Sequence, residues 1–510
     1  MRPVRRVRIA GSMNNGAIMH IQEANILVIG AGIGGLAAGA LLAGKGAAVT
    51  VLEEQCYPGG CAATFSSSGY RFDAGATVGC GFHPGGPMDE LGKELDIAWL
   101  LKPEPVAWEY RDRHIRFGLS ASRAEIIERF PGTEAFWKEQ SALAGLLWKL
   151  ARGGVSWPVK SPRDLAELLQ KGFSGMPASA RLLKFASKSA FDWLSSHNLQ
   201  RDPDFVRFID AQLLVSVQTT SRHANAINAA IALDLPSSGT FSPIGGIGTV
   251  ASLLARSIEK NGGAVLYGKK VIRIDSVRRQ VIGIETSDGG AYAADFVIAN
   301  LTPSSLAAIE GAEAAALPET SAAPSWSAFT LYLGMDSAFF ENLPSRHVQI
   351  VGSSGELAEG NSIFVSASPG DETGRAPAGL RAVTISTHAM PGGWFDALKR
   401  GPDAYREMKH ACTEKVFGVL SEQFPEARDA VRFLIAGTPV AWERFTGRLN
   451  GCVGGYAQTS LFGVRGPETQ FDNLFLAGDS IFPGQSLPGV VTGARRTVGL
   501  LMQRSAKGMP

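Results

Sequence analysis

The residues that say most about chemistry in this chain are glycines. Gly30-Ala31-Gly32-Ile33-Gly34-Gly35 matches the pattern G-x-G-x-x-G. With glycine at 60 of 510 positions, about one such match is expected by chance, so its setting decides its meaning. It follows the apolar run Ile26-Leu27-Val28-Ile29, which reads as a buried parallel strand, and it opens segment 36–42, which reads as a helix. Segment 48–53 then reads as a second strand closing on Glu53. In such a βαβ unit the glycines permit a tight turn and let a pyrophosphate approach the helix N-terminus. Unpaired N–H groups and the helix dipole favour an anion there. A carboxylate at Glu53 accepts hydrogen bonds from a ribose. Glu54 reads as a solvated neighbour.

A nicotinamide-binding protein could share that unit, so two further signals matter. Pro58-Gly59-Gly60 lies just past Glu53, followed by Gly69-Tyr70-Arg71-Phe72-Asp73-Ala74-Gly75-Ala76-Thr77. Glycines here would let backbone approach a second face of a long dinucleotide. Near the other end, Leu476-Ala477-Gly478-Asp479 reads as a strand ending in a carboxylate that can bind ribityl hydroxyls. The helix expected from Gly489 and Val490 onward would aim its N–H groups at a flavin and stabilise negative charge on it. One cofactor, FAD, explains all three distant segments. A nicotinamide-only protein leaves Gly478-Asp479 unexplained.

These segments, together with Pro243-Ile244-Gly245-Gly246 and the string Gly478-Asp479-Ser480-Ile481-Phe482-Pro483-Gly484-Gln485, resemble the phytoene desaturase and carotenoid isomerase family of flavoproteins. The likeness runs from about residue 26 to 503 and is weakest between about 106 and 225. The resemblance implies that Gly30, Gly32, Gly34, Gly35, Glu53, Gly59, Gly60, Gly478, Asp479, Gly489 and Val490 contact FAD. It further implies that the Val271 backbone holds the adenine and that Ala76 and Thr77 lie beside the isoalloxazine. One position departs: related amine-oxidising flavoenzymes carry a basic residue right after the glycine pair, where this chain has Cys61. That tilts the reading away from amines and leaves one cofactor contact without a donor.

The resemblance implies chemistry on a long apolar polyene, either desaturation or cis–trans isomerisation. The protein would align the chain against the flavin and exclude water. A flavin-dependent amine or porphyrinogen oxidase, a desaturase of another long-chain lipid, and a flavoprotein using FAD without net redox remain alternatives. For a desaturase the electron acceptor would be quinone or oxygen. No Ser/His/Asp or paired-carboxylate constellation stands out, and the one tentative catalytic candidate is His83, after the 76–82 run. Glu443 and Arg444 read as an ion pair on a strand, and Arg495 and Arg496 as surface charges.

The elements that must position these residues follow from the rest of the chain. At 510 residues two domains are expected. The first style of alternating strand and helix recurs in three pieces, with a second style between them. The expected fold class is α/β: a Rossmann-type FAD-binding domain from 24–105, 240–302 and 436–505, with an inserted α+β substrate domain of antiparallel sheet plus helices from 106–239 and 303–435. Strands are expected at 271–274, 280–285 and 291–299, helices at 249–261 and 488–503, and long helices from about 106 to 235. Residues 1–22 read as a disordered extension without a signal-peptide apolar core.

Net charge is +2, which argues against a nucleic-acid partner. The cysteines Cys56, Cys61, Cys80, Cys412 and Cys452 show no metal-type pairing and are expected to be reduced, with no metal bound. No run of about eighteen consecutive apolar residues exists to span a bilayer. Within the expected helical insertion at 140–200, however, residues 149–188 carry eight basic side chains against Asp164 and Glu167, interleaved with Trp157 and Phe173. The expectation is a cytoplasmic protein docked peripherally on an anionic membrane, from which it draws a hydrophobic substrate.

Overall fold

A computed structural model of the chain describes residues 20–152, 182, 184–311, 326–353 and 355–507. A five-stranded parallel sheet runs in the order Ala264–Leu266, Ala48–Leu52, Asn25–Ile29, Phe296–Ala299 and Leu474–Leu476. Its central strand is held in register on both sides, Val28 opposite Val51 and opposite Ile298. A strand buried on both faces needs no alternation, which is why 26–29 is uniformly apolar. Helix Ile33–Ala43 is buried along its whole length. It packs with helices Gly248–Lys260 and Leu487–Lys507 on one face of the sheet, which explains its lack of a polar stripe.

The other face carries a small antiparallel sheet of Val271–Val277, Gln280–Thr286 and Ala291–Ala293. The sequence reading of 291–299 as one strand is corrected here. Chain 291–293 pairs antiparallel in the small sheet, whereas 296–299 enters the parallel one. Asp295 marks the change of sheet, its carboxylate accepting from the N–H of Asn25 at 2.8 Å. Asn473 locks the two sheets together. Its side-chain oxygen accepts from the Val281 N–H, and its amide donates to the carbonyls of Val281 and Asp295 at 2.7 and 2.8 Å.

The second unit is built on a seven-stranded sheet. Its order is Val431–Gly437, Ser327–Asp336, Leu380–Ala389, Ser362–Ala367, His347–Val351, Trp108–Asp112 and Ile115–Leu119. All its pairs are antiparallel except His347–Val351 with Trp108–Asp112. The expectation of helix from 106 onward is thus corrected: 108–119 is a tight hairpin turning at Arg113, φ 48°, and helix begins only at Ala124. Buried aromatics, Tyr110, Phe117, Phe130 and Phe208 among them, tie this hairpin to the helices that follow. Helices Pro391–Arg400 and Pro402–Gln423 pack with the rest of the sheet around a core containing Phe329, Trp394 and Phe417.

A third correction concerns Glu443 and Arg444, which lie on helix Pro439–Thr446 and not on a strand. The signals were local: Thr438 caps it by accepting from the Ala441 N–H, Pro439 stands at its first turn, and Gly447 closes it in the left-handed region. The expected α/β class with its inserted antiparallel unit is otherwise what the chain adopts. The proposed extension 1–22 falls outside the described residues up to 19, and 21–23 form a short 3₁₀ turn. Most of the basic insertion, 153–181 and 183, also lies outside them.

Asn473→Ala removes three hydrogen bonds from a side chain only 2% exposed. The variant is expected to lose roughly 1–3 kcal/mol in denaturant unfolding, because the backbone partners stay buried and unpaired. Unchanged stability would contradict the inter-sheet lock.

Candidate functional site

One cavity of about 680 Å³ runs from the carboxyl ends of the parallel strands across to the inner face of the mixed sheet. Its first half is walled by backbone. The Gly32–Ile33 turn opens the helix, and the chain past Glu53 returns so that the Gly59 N–H donates to the Ala31 carbonyl at 2.8 Å. Gly59 takes φ 123°, a conformation that side chains rarely adopt, with the Ala63 backbone 2.7 Å from where its Cβ would lie. A methyl on Gly34 would lie 2.7 Å from the Gly478 nitrogen, and one on Gly35 would lie 2.5 Å from the Gly30 carbonyl. Asn300, just past the strand expected to end at 299, fills the centre of this junction and crowds Gly32, Gly34 and Gly478. Its detectable signal was a polar residue closing the uniformly apolar strand Phe296–Ala299.

The acidic groups sit at two points of this half. Glu53 accepts from the Ala31 N–H at 2.6 Å and from the Gln55 N–H at 2.8 Å. Burial pushes its carboxyl above the usual range, and those two N–H groups pull it back. Asp479 pairs with Arg448, Nη2 to Oδ1 at 2.8 Å, and both line the cavity. Burial disfavours the Arg448 charge, but the Asp479 carboxylate together with the nearby Cys61 and Cys452 outweighs it and holds the guanidinium protonated. Cys61 lines the cavity beside them, its thiol pushed up by burial despite the nearby cation.

Of the residues singled out from sequence, Gly30, Gly32, Gly34, Glu53, Gly59, Gly60, Ala76, Thr77, Val271, Gly478, Asp479 and Val490 line this cavity. Gly35 and Gly489 stand behind the wall, Gly35 against the Gly30 carbonyl and Gly489 against the Gly484 carbonyl. His83 is not among the lining residues; its ring lies against Gly86 and helix Pro87–Leu95. Among the described residues no cluster of His, Cys, Asp or Glu could hold a metal, and none of the five cysteines forms a disulfide.

The second half differs in character. Trp108, Val215, Leu235, Ile363 and Phe364 give it an apolar wall, and its polar groups are uncharged. Gln218 donates to Gln485 at 2.9 Å and lies 3.4 Å from the His388 ring. Burial drives the His388 imidazole down to about 4, so the ring is neutral near pH 7. A second buried imidazole, His347, is held well below its ordinary value by burial and by Arg346. Its Nδ1 lies 2.8 Å from the Ser366 hydroxyl, which donates to the Thr77 hydroxyl at 2.7 Å. Ser366 has one proton, so Nδ1 must be the donor to it, and Thr77 is left with its own proton free to point into the cavity. Sequence periodicity carried no signal for Arg448, His388 or this hydroxyl chain, because their partners lie far away along the chain.

Both imidazoles set a pH dependence. A histidine depressed in the folded state binds its proton more readily when unfolded, so stability falls as pH drops from about 6.5 towards 4. Thermal midpoints across that window should fall for the wild type and fall less steeply for His388→Gln. Parallel pH profiles would contradict the buried neutral ring.

The family comparison agrees with this geometry. Residues 33–502 match the family of flavin-containing amine oxidoreductases. Prolycopene isomerase 1 of an Oncidium hybrid cultivar is 27% identical, covering 93% of this chain and 83% of its own. A 1-hydroxycarotenoid 3,4-desaturase from a Flavobacterium is 24% identical, covering 94% and 99%. Among solved structures, a putrescine oxidase variant superposes with a TM-score of 0.61 at 16% identity, covering 94% of this chain and 99% of the other, a likeness of fold alone. The likeness to carotenoid isomerases and desaturases read from the glycine motifs is thus met by full-length relatives. The chain belongs to the flavin-containing amine oxidoreductase family.

Proposed function

We propose that the protein is an FAD-dependent enzyme acting on a long apolar polyene, by desaturation or by cis–trans isomerisation. The observation that carries this reading is the division of charge along the cavity. Its charged lining residues, Glu53, Glu54, Lys269, Lys270, Arg448 and Asp479, belong to the dinucleotide half, and the described lining of the other half has none. An ammonium substrate entering that half would lose its hydration with no carboxylate to replace it, at a cost of several kcal/mol. A hydrocarbon chain loses nothing there and gains from burial. This weighs against amine or porphyrinogen oxidation.

Support for FAD comes from the glycine turn itself: Gly32, Gly34 and Gly35 are packed against Asn300, Gly478 and the Gly30 carbonyl too closely for a Cβ, and this packing sets the N-terminus of helix Ile33–Ala43 at the cavity wall, where an anion is favoured. Glu53 would hold the ribose end, Val271 the adenine side, and Asp479 with Arg448 the middle. When bound, the flavin supplies the redox chemistry, accepting hydride in a desaturation or acting in its reduced form in an isomerisation. The chain's own part is to align the substrate against the contacting Trp108 and Phe364 rings, exclude water, and offer the Thr77 hydroxyl as a hydrogen-bond donor fixed by Ser366 and His347. His83 has no place in this scheme, since its ring lies outside the cavity lining.

Access from a membrane would solve the delivery of so insoluble a substrate. Among the described residues no helix is long and apolar enough to cross a bilayer. The excess of basic residues in 149–188, eight against two, fits electrostatic docking on anionic lipid.

Anaerobic mixing of the FAD-loaded protein with candidate polyenes should give one of two results. Bleaching of the flavin with a new double bond marks a desaturase, in which case quinone or oxygen would reoxidise it. A geometric product formed only after chemical reduction of the flavin marks an isomerase. Neither response with any polyene, alongside turnover of an amine, would overturn the substrate assignment. Separately, co-sedimentation with anionic liposomes should weaken severalfold when Arg181, Lys184 and Lys188 are neutralised; undiminished binding would remove the membrane claim.

A further inference from the structure

The glycine pair at 59–60 is followed by Cys61, where related flavoenzymes carry a cation, and the fold brings a cation to that place from elsewhere. Arg448 lies 387 residues further along the chain, yet its guanidinium shares a cavity wall with Cys61 and reaches Asp479 at 2.8 Å. Only 16% of the Arg448 side chain is exposed. We infer that Arg448 is the diphosphate-binding cation of the cofactor site, supplied from the loop after helix Pro439–Thr446 in place of a basic residue at position 61. The inference rests on the FAD reading above.

Three observations place the group for this task. Asp479 follows Gly478, whose backbone nitrogen packs against Gly34 at the start of the glycine-turn helix, so the ion pair stands beside the site where that reading puts the diphosphate. The guanidinium also has donors to spare. Its described hydrogen bonds are one strong bond to Asp479 and a long one, 3.4 Å, to the Cys452 carbonyl, out of five N–H groups. Finally, the loop is pinned in advance from both units. The Leu449 N–H donates to the Ser305 hydroxyl at 2.9 Å, and the Ser327 hydroxyl donates to the Gly451 carbonyl at 2.6 Å. Ser305 belongs to helix Pro303–Ala307 beside the parallel sheet, and Ser327 to the mixed sheet. A fork held so rigidly can add a second, anionic acceptor without further loss of side-chain freedom. A diphosphate bound there joins the two units through one side chain, which a cation at position 61 would not do.

The test is FAD affinity of the full-length apoprotein, measured by fluorescence quenching at several salt concentrations. Arg448→Met should weaken binding by about tenfold to a hundredfold, the effect of losing a charge-assisted hydrogen bond to an anion. It should also flatten the salt dependence. Because truncation leaves Asp479 as a lone carboxylate, Arg448→Met is repeated with Asp479→Asn; most of the loss should persist. The decisive variant is Cys61→Arg placed in the Arg448→Met background. If the two positions serve the same anion, affinity and salt dependence return towards wild type. Affinity of Arg448→Met within twofold of wild type overturns the inference. So does a loss abolished by Asp479→Asn, or one that Cys61→Arg leaves untouched while the circular dichroism spectrum stays native. Failure of the wild type itself to bind FAD would strike the cofactor reading instead, so the two failures are distinguishable.

Discussion

The structure depends on a steric constraint: three strand ends and one helix N-terminus meet with no room for a methyl group. Gly32, Gly34 and Gly35 are packed by Asn300, Gly478 and the Gly30 carbonyl at distances that a Cβ would violate. That packing fixes the spacing between strands Asn25–Ile29, Phe296–Ala299 and Leu474–Leu476, whose carboxyl ends open on the cavity along a single edge. Every later feature refers to this edge. Glu53 is held at one end by the Ala31 N–H, and the Asp479–Arg448 pair stands at the other.

The parts of the fold that follow from this constraint were legible in the sequence, because close packing needs glycine and burial on both faces needs unbroken apolar runs. Strand Asn25–Ile29, helix Ile33–Ala43 and strand Leu474–Leu476 announce themselves in that way. The hairpin 108–119 did not, since its five strand residues Trp108–Asp112 are all buried although three of them carry charge. Glu109 and Arg111 pair with each other at 3.1 Å, Asp112 is met by Arg207 at 3.0 Å, and no periodicity records a partner 95 residues away. Asp295 hid a change of sheet within what reads as one strand, since nothing in its neighbours' hydropathy marks the break.

The site divides in the same way. Positions that act through backbone shape, from Gly30 to Gly60 and at Gly478, could be read locally. Positions that act through a side chain delivered from elsewhere could not. Arg448 is the clearest case: the sequence showed a missing cation at Cys61 but not which of the many arginines replaced it. His388 and the chain from His347 through Ser366 to Thr77 are similar: His347, Ser366 and His388 come from three separate strands of the mixed sheet, and Thr77 from the segment before Gly79. The charge partition of the cavity emerges only when these segments are brought together. One half is lined with ions and backbone N–H groups, the other with aromatic rings, amides and a neutral imidazole.

That partition makes the central claim, that the uncharged half takes an apolar chain. The most direct measurement is the flavin difference spectrum of the FAD-loaded protein, titrated in parallel with a detergent-solubilised carotene and with an aliphatic diamine. The account predicts a saturable perturbation by the carotene that persists at high salt, and no perturbation by the diamine. A saturable response to the diamine together with none to the carotene would contradict it.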